Sequence, residues 1–217
     1  MVYFHGGTLT TGGADIYHWK GAIRNLVSRG VIVVTVQYRL GLIGFFTTYS
    51  DEFPANRGLY DQILALKWVK DEIAAFGGDT DKITIFGQSA GAVSVSALSI
   101  TSESRGLFHQ TIQTSGSLLL EFETPEDPRG SVHKLRGFQL CGINDTQWNS
   151  DNVNDLLMDC LVEVSAQEMI KYDFTYGLNW NFALDGALFP EYPENLAKTR
   201  PSYPALIGDM LEDYAHF

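Results

Sequence analysis

A chain of 217 residues that is 45% hydrophobic and 19% charged has the composition of a folded domain with one sizeable core, not of a disordered segment. Its formal net charge of −11 argues against a nucleic-acid partner, which needs clustered cations to displace counterions, and against an anionic membrane surface for the same reason. The longest strongly apolar run, VIVVTV at 31–36, is far too short to span a bilayer, and the opening MVYFHGG has neither the basic n-region nor the cleavage pattern of a signal peptide.

In chain order, residues 2–4 read as a short buried strand ending at an HGG turn, with helical or loop residues following through Leu26. A chain that begins inside a strand reads as a fragment. The β-branched run GVIVVTVQYRL (30–40) predicts a strand buried on both faces, as in parallel sheets. LGLIGFFTTYSDEFPANRG (40–58), rich in Gly and aromatic residues, reads as a loop. LYDQILALKWVKDEIAAF (59–76) places Leu59, Ile63, Leu66, Val69 and Ile73 at helical spacing and stops at Gly77 and Gly78. Further strands are predicted over 82–86, within HQTIQTSGS (109–117) and in PALIGDM (204–210). In the polar region 121–200, VNDLLMDCLVEV (153–164) reads as helical, and TPEDPRG (124–130) and INDTQWNSDN (143–152) read as loops. Strands alternating with helices predict an α/β layer with a mainly parallel sheet, in a single unit over 1–217 without repeats.

The segment KITIFGQSAGAVSVSALS (82–99) carries the first chemistry. An apolar strand runs through Gly87, Gln88, Ser89, Ala90 and Gly91 into small helix-compatible residues. Two glycines let a strained strand-to-helix corner close while Ser89 projects its Oγ above the sheet, the arrangement of a nucleophile elbow. A serine hydroxyl needs a base and a group that orients that base. Acyl transfer also needs backbone N–H donors aimed at the developing oxyanion; HGGTLTTGG (5–13) is either such a donor turn or only a tight loop.

GQSAG together with HGG, QYRLGLIGF (37–45), NRGLYDQILALKWVKDEIAAFGGD (56–79) and LFHQTIQTSGS (107–117) resembles the type B carboxylesterase family, which includes the cholinesterases, on the α/β-hydrolase fold. The resemblance runs nearly the whole length and is densest over 1–117. It implies that Ser89 is the nucleophile and that the N–H groups of Gly7, Thr8 and Ala90 form the oxyanion hole. Thr8 stands where family members usually have a third glycine, and a β-branched residue restricts the backbone there. LIGDMLEDYAHF (206–217) resembles the segment bearing the family's catalytic acid: spacing from Gly208 selects Asp213, while Glu212 keeps the usual residue type one place early, and both also read as solvated loop acids.

The family's histidine follows the acid beyond another strand, so the reading expects this chain to stop before the general base and to be inactive by itself. Of its five histidines, His5, His18 and His109 read as structural or solvated, His133 lies in the polar insertion, and His216 is three residues from Asp213. Cys141 and Cys160 are either two buried thiols or, as the resemblance implies, a disulfide ahead of a Cys-Leu pair. Asn144-Asp145-Thr146 between them matches the N-glycosylation pattern, and both features point to the secretory pathway.

The implied function is a serine carboxylic-ester hydrolase acting through an acyl-enzyme on a small-molecule ester, without metal or organic cofactor. A catalytically silent cholinesterase-like adhesion or binding protein is the alternative, and a peptidase with the same triad a third.

Overall fold

The computed structural model describes residues 1–16, 19–120, 122–123, 137–176 and 180–210. Five strands form one sheet: β1 (Val2–Phe4), β2 (Val34–Val36), β3 (Thr84–Gln88), β4 (Gln110–Thr114) and β7 (Ala205–Gly208), in the order β2-β1-β3-β4-β7 and parallel throughout. A separate parallel pair joins β5 (Phe122–Glu123) to β6 (Phe182–Ala183). The helices are α1 (Trp19–Asn25), α2 (Gly41–Phe45), α3 (Arg57–Glu72), α4 (Ala90–Ile100), α5 over 137–141, α6 (Asp145–Trp148), α7 (Val153–Leu161), α8 (Ala166–Tyr176) and α9 (Pro193–Thr199). The mostly parallel sheet with flanking helices is the α/β architecture that the alternation of segments predicts.

The register sorts the sheet into two faces. Val2, Ile85 and Thr111 share one row and Phe4, Val36 and Gly87 another on the same face, and each is buried. Against that face lies α4, in which every residue but Ser96 is buried; its small side chains allow the helix to sit close to β1, β3 and β4. Beside α4 runs α3, whose Leu59, Ile63, Leu66 and Val69 are buried at the predicted helical spacing; Ile73 continues the stripe into a 3₁₀ turn that ends on Gly77 at φ 81°. The Gln62 amide donates to Ser94 Oγ across the α3–α4 contact.

Three local readings are corrected. The 30–40 run contributes only Val34–Val36 to the sheet, with Thr35 exposed and Val36 buried: Val34 and Val36 share the face that packs on the core, and the opposite face is open at Thr35. Within the expected loop 40–58, Gly41–Phe45 is helical: a Cβ on Gly41 would strike the Asp173 carboxylate, and one on Gly44 the Arg39 carbonyl. Within the expected loop 143–152, Asn144 and Gln147 form a reciprocal capping box that starts α6, and the buried Trp148 anchors it edge-on against Phe46 and Phe138. TPEDPRG lies outside the described residues.

Long-range polar clamps fasten the later segments to the early ones. Asn56, at φ 59° and only 1% exposed, donates through Nδ2 to the Ala183 carbonyl (2.8 Å) and Asp185 Oδ2 (2.9 Å), and its Oδ1 accepts from the Ala183 N–H (2.9 Å). The buried Asp173 accepts from the Leu42 N–H (2.7 Å) and Trp180 Nε1 (3.1 Å), fixing α8 to the start of α2. Arg57 donates to the carbonyls of Ile43, Pro54 and Leu42; burial, reinforced by the Arg39 charge, lowers its pKa to about 10.

Because Asn56→Ala strands two buried backbone groups of Ala183, it should cost about 3 kcal/mol. Urea denaturation of the wild type and the variant checks this, and a loss below about 1 kcal/mol would show that water replaces the clamp.

Candidate active site

β1 connects to β2 on one side, while β3, β4 and β7 extend the sheet on the other, so the strand order diverges between β1 and β3. In open parallel sheets the crevice at the carboxyl ends of the strands at such a point is where ligands bind. The HGG turn leaves β1 there and Ser89 leaves β3 beside it.

Ser89 sits between β3 and α4 with φ 55° and ψ −129°, a conformation costly for a residue with a Cβ. Contacts on all sides hold it. A Cβ on Gly91 would strike the Phe4 carbonyl, and one on Gly87 would strike the Gly91 backbone, so neither glycine has room for a side chain. A Cβ on Gly6 would lie 2.5 Å from the Gln88 carbonyl oxygen and 3.2 Å from Ser89 Cβ, which puts the HGG turn against the serine. Gly116, just past β4, backs onto the Ser89 carbonyl in the same way. The Ser89 N–H donates to the Thr114 carbonyl (3.0 Å), tying the corner to the end of β4.

The peptide groups around Ser89 share one feature. In a trans peptide the C=O and the following N–H point in opposite directions, and every peptide here is trans. The Gly6 carbonyl accepts from His5 Nδ1 (2.9 Å). The Gly7 carbonyl accepts from the N–H groups of Thr10 (3.0 Å) and Thr11 (2.9 Å), and from the hydroxyls of Thr8 (2.7 Å) and Thr11 (3.3 Å). The Ser89 carbonyl accepts from Ala92 (2.8 Å) and Val93 (3.0 Å). With these three oxygens held, the N–H groups of Gly7, Thr8 and Ala90 face the other way, and among the described residues none of the three has an acceptor. Thr8, at φ 54°, is exposed, and Leu9 behind it, at φ 56°, is fully buried.

His5 supports the turn from below. Its ring is fully enclosed, stacks on Tyr38 at 4.5 Å between centroids, and lies under Gly12; the Tyr38 hydroxyl donates to the His5 carbonyl (2.6 Å). Since a carbonyl only accepts, Nδ1 carries the proton of the neutral ring. A second proton would go to Nε2, which is buried and without a partner among the described residues, and burial accordingly lowers the His5 pKa below the ordinary range.

The other site expectations separate. Cys141 and Cys160 are joined in a disulfide that links α5 to α7. Exposed Asn144 uses Oδ1 to accept from the Gln147 N–H and its own N–H to donate to Gln147 Oε1. His109 stands at the amino-terminal ends of β3 and β4, opposite Ser89, where its Nδ1 accepts from the Ile83 N–H. Glu212, Asp213, His18, His133 and His216 lie outside the described residues. Among the described residues no three His, Cys, Asp or Glu side chains cluster as metal ligands do. Sequence reasoning did not identify the roles of Gly6, Gly116 and Tyr38. Gly6 and Gly116 belong to motifs already singled out, but only the tertiary contacts give them a function.

With this geometry established, comparison with known proteins places the molecule. All 217 residues match the model of the carboxylesterase family. The chain belongs to the carboxylesterase family. It is similar to dog carboxylesterase 5A (38% identical over 211 residues, 96% of this chain and 35% of the relative). Mouse acylcarnitine hydrolase is 38% identical over 213 residues, with the same shares covered, and gut esterase 1 of Caenorhabditis briggsae is 33% identical over 225 residues, all of this chain and 38% of the relative. The chain thus spans about a third of the length of these carboxylesterases.

The His5 environment sets a pH dependence. Its folded-state pKa lies below the unfolded value near 6.5, so its contribution to stability is complete above about pH 6.5 and is lost as pH falls through the window beneath it. Between pH 7 and 5 the urea midpoint should fall more steeply for the wild type than for His5→Gln; equal slopes would mean that His5 protonates without penalty.

Proposed function

We propose that this chain carries the nucleophile and the oxyanion hole of a serine carboxylic-ester hydrolase. The observation that supports this most directly is the strained Ser89 corner beside three peptide N–H groups that have no acceptor among the described residues. In this reading Ser89 Oγ attacks the ester carbonyl as its proton passes to a base. The carbonyl oxygen becomes an oxyanion that takes hydrogen bonds from Gly7, Thr8 and Ala90, and the alcohol leaves with the proton. Water then attacks the acyl-enzyme and frees the acid. Every step is polar, and the chemistry calls for no metal or organic cofactor.

The orienting acid is assigned to Asp213, with Glu212 the alternative. What supports a carboxylate there is the register: Gln88, Thr114 and Gly208 are aligned across β3, β4 and β7, and the Ser115 N–H donates to the Gly208 carbonyl (2.9 Å). Chain leaving β7 therefore starts from the edge of the sheet that carries Ser89. The base is assigned to a histidine outside these 217 residues, in the two thirds of the carboxylesterase length that this chain does not span.

A fluorophosphonate probe should label Ser89 in the full-length protein, and Ser89→Ala should abolish labelling and lower ester turnover by about 10³-fold or more. Asp213→Asn should damage turnover far more than Glu212→Gln. An unlabelled, folded wild type would favour the silent binding-protein reading instead, and the reverse ranking of the two acids would transfer the orienting role to Glu212.

The protein is further proposed to be a secreted or lumenal glycoprotein. The disulfide, closing a separation of 19 residues, supports an oxidising compartment, and the Asn144 sequon is compatible with a glycan because neither capping-box bond uses Nδ2. Among the described residues no helix is long and apolar enough to cross a membrane. Intact-mass analysis of secreted protein with and without reductant and glycosidase should show the loss of a glycan from Asn144, then a gain of two hydrogens on reduction. Two free thiols would remove the secretory reading, along with about 3 kcal/mol of expected stabilisation.

A further inference from the structure

The Gly7 carbonyl accepts from four donors, two of them hydroxyls: Thr8 Oγ1 at 2.7 Å and Thr11 Oγ1 at 3.3 Å. A third hydroxyl, Thr10 Oγ1, donates to the next oxygen along, the Thr8 carbonyl, at 3.1 Å. Clamping the Gly7 oxygen fixes the plane of the Gly7–Thr8 peptide, and with it the direction of the Thr8 N–H. We propose that Thr8 and Thr11 are positioning residues whose hydroxyls aim the Thr8 N–H at the oxyanion, so that a residue with a Cβ serves where a glycine is usual.

The physical need comes from the side chain at position 8. A glycine adopts positive φ freely, whereas a threonine at φ 54° is pressed toward other backbone wells. Any excursion from that well swings the peptide plane and misdirects the N–H. The hydroxyl of Thr8 donates back to the carbonyl of its own peptide plane, and Thr11 supplies both its N–H (2.9 Å) and its hydroxyl to the same oxygen. Leu9, fully buried at φ 56°, anchors the far side of the turn in the core. The hydroxyls touch neither Ser89 nor a reacting atom in this arrangement; they act through the peptide.

This inference rests on the ester-hydrolase reading, and two kinds of measurement separate the fates of the two. In the full-length protein, Thr11→Val keeps the shape and the backbone N–H but removes the hydroxyl. It should lower kcat for p-nitrophenyl acetate about tenfold with KM within about twofold, and weaken a trifluoromethyl ketone, which forms a tetrahedral adduct, by a similar factor. Thr11→Ser should restore both. Thr8→Val should behave like Thr11→Val, and Thr8→Ser like the wild type. Independently of turnover, amide hydrogen exchange over residues 6–12 should quicken in both valine variants and stay at the wild-type rate in both serine variants. An active wild type whose valine variants keep kcat, or whose serine variants fail to rescue it, overturns the positioning role. A wild type that neither turns over ester nor reacts with fluorophosphonate overturns the hydrolase reading, and the exchange rates then decide alone whether the hydroxyls hold the turn.

Discussion

The candidate site depends on one steric constraint, the direct approach of backbone to backbone where α4 begins. Gly91 lies against the Phe4 carbonyl, Gly87 against Gly91, and Gly6 against Gln88, so β1, β3 and the first turn of α4 meet with no side chains between them. A single methyl at Gly91 would push the helix off the strand. The strained conformation of Ser89 persists because these contacts leave it no room to relax, with a hydrogen bond to Thr114 holding it from the side. Almost the whole of α4 is buried because the sheet covers one side and α3, α9 and the turns over 102–104 and 118–120 pack on the others, leaving only Ser96 short of burial.

The architecture then brings separate segments to one edge. Two loops leave adjacent strands at the point where the strand order diverges, and Gly6 and Ser89, 83 positions apart in the chain, are in direct contact in space. The later part of the chain contributes β7 at the far side of β4 and fastens to the front by Asn56 and Asp173, whose bonds reach residues more than a hundred positions away. These polar clamps are buried and satisfied, so they specify where the later segments dock and resist displacement from those positions.

Elements written in local periodicity were legible in the sequence. The α3 stripe from Leu59 to Val69 needs no tertiary knowledge, and the elbow at Gly87–Gly91 combines a strand, two glycines and a small-residue helix within one window. Elements that exist because of distant neighbours were not. Gly41 looks like a loop glycine until Asp173 is seen pressing on α2 from 132 positions away; the α6 start is a different case, since the Asn144–Gln147 capping box is local and was masked only by the polar, turn-like residues around it. The run at 30–40 misled because its composition suits a two-sided strand, and only the tertiary packing shows that the face of β2 bearing Thr35 is open. At the candidate site Ser89, Gly7, Thr8 and Ala90 were named from motifs, while the carbonyls that orient their peptides belong to a hydrogen-bond pattern that no motif records.

The three N–H groups beside Ser89 belong to the main chain, and this bears on how such a site drifts over generations. A point change deletes a side chain readily, but it removes a peptide N–H only by introducing proline. The residue at position 8 keeps its N–H whatever its side chain, and in the proposed arrangement the Thr8 hydroxyl bears on how firmly that donor is aimed. Substitutions that reshape the crevice act through side chains, whereas Gly6, Gly87 and Gly91 underneath have no room for a Cβ. Side chains around the crevice can therefore change while the main-chain donors stay in place.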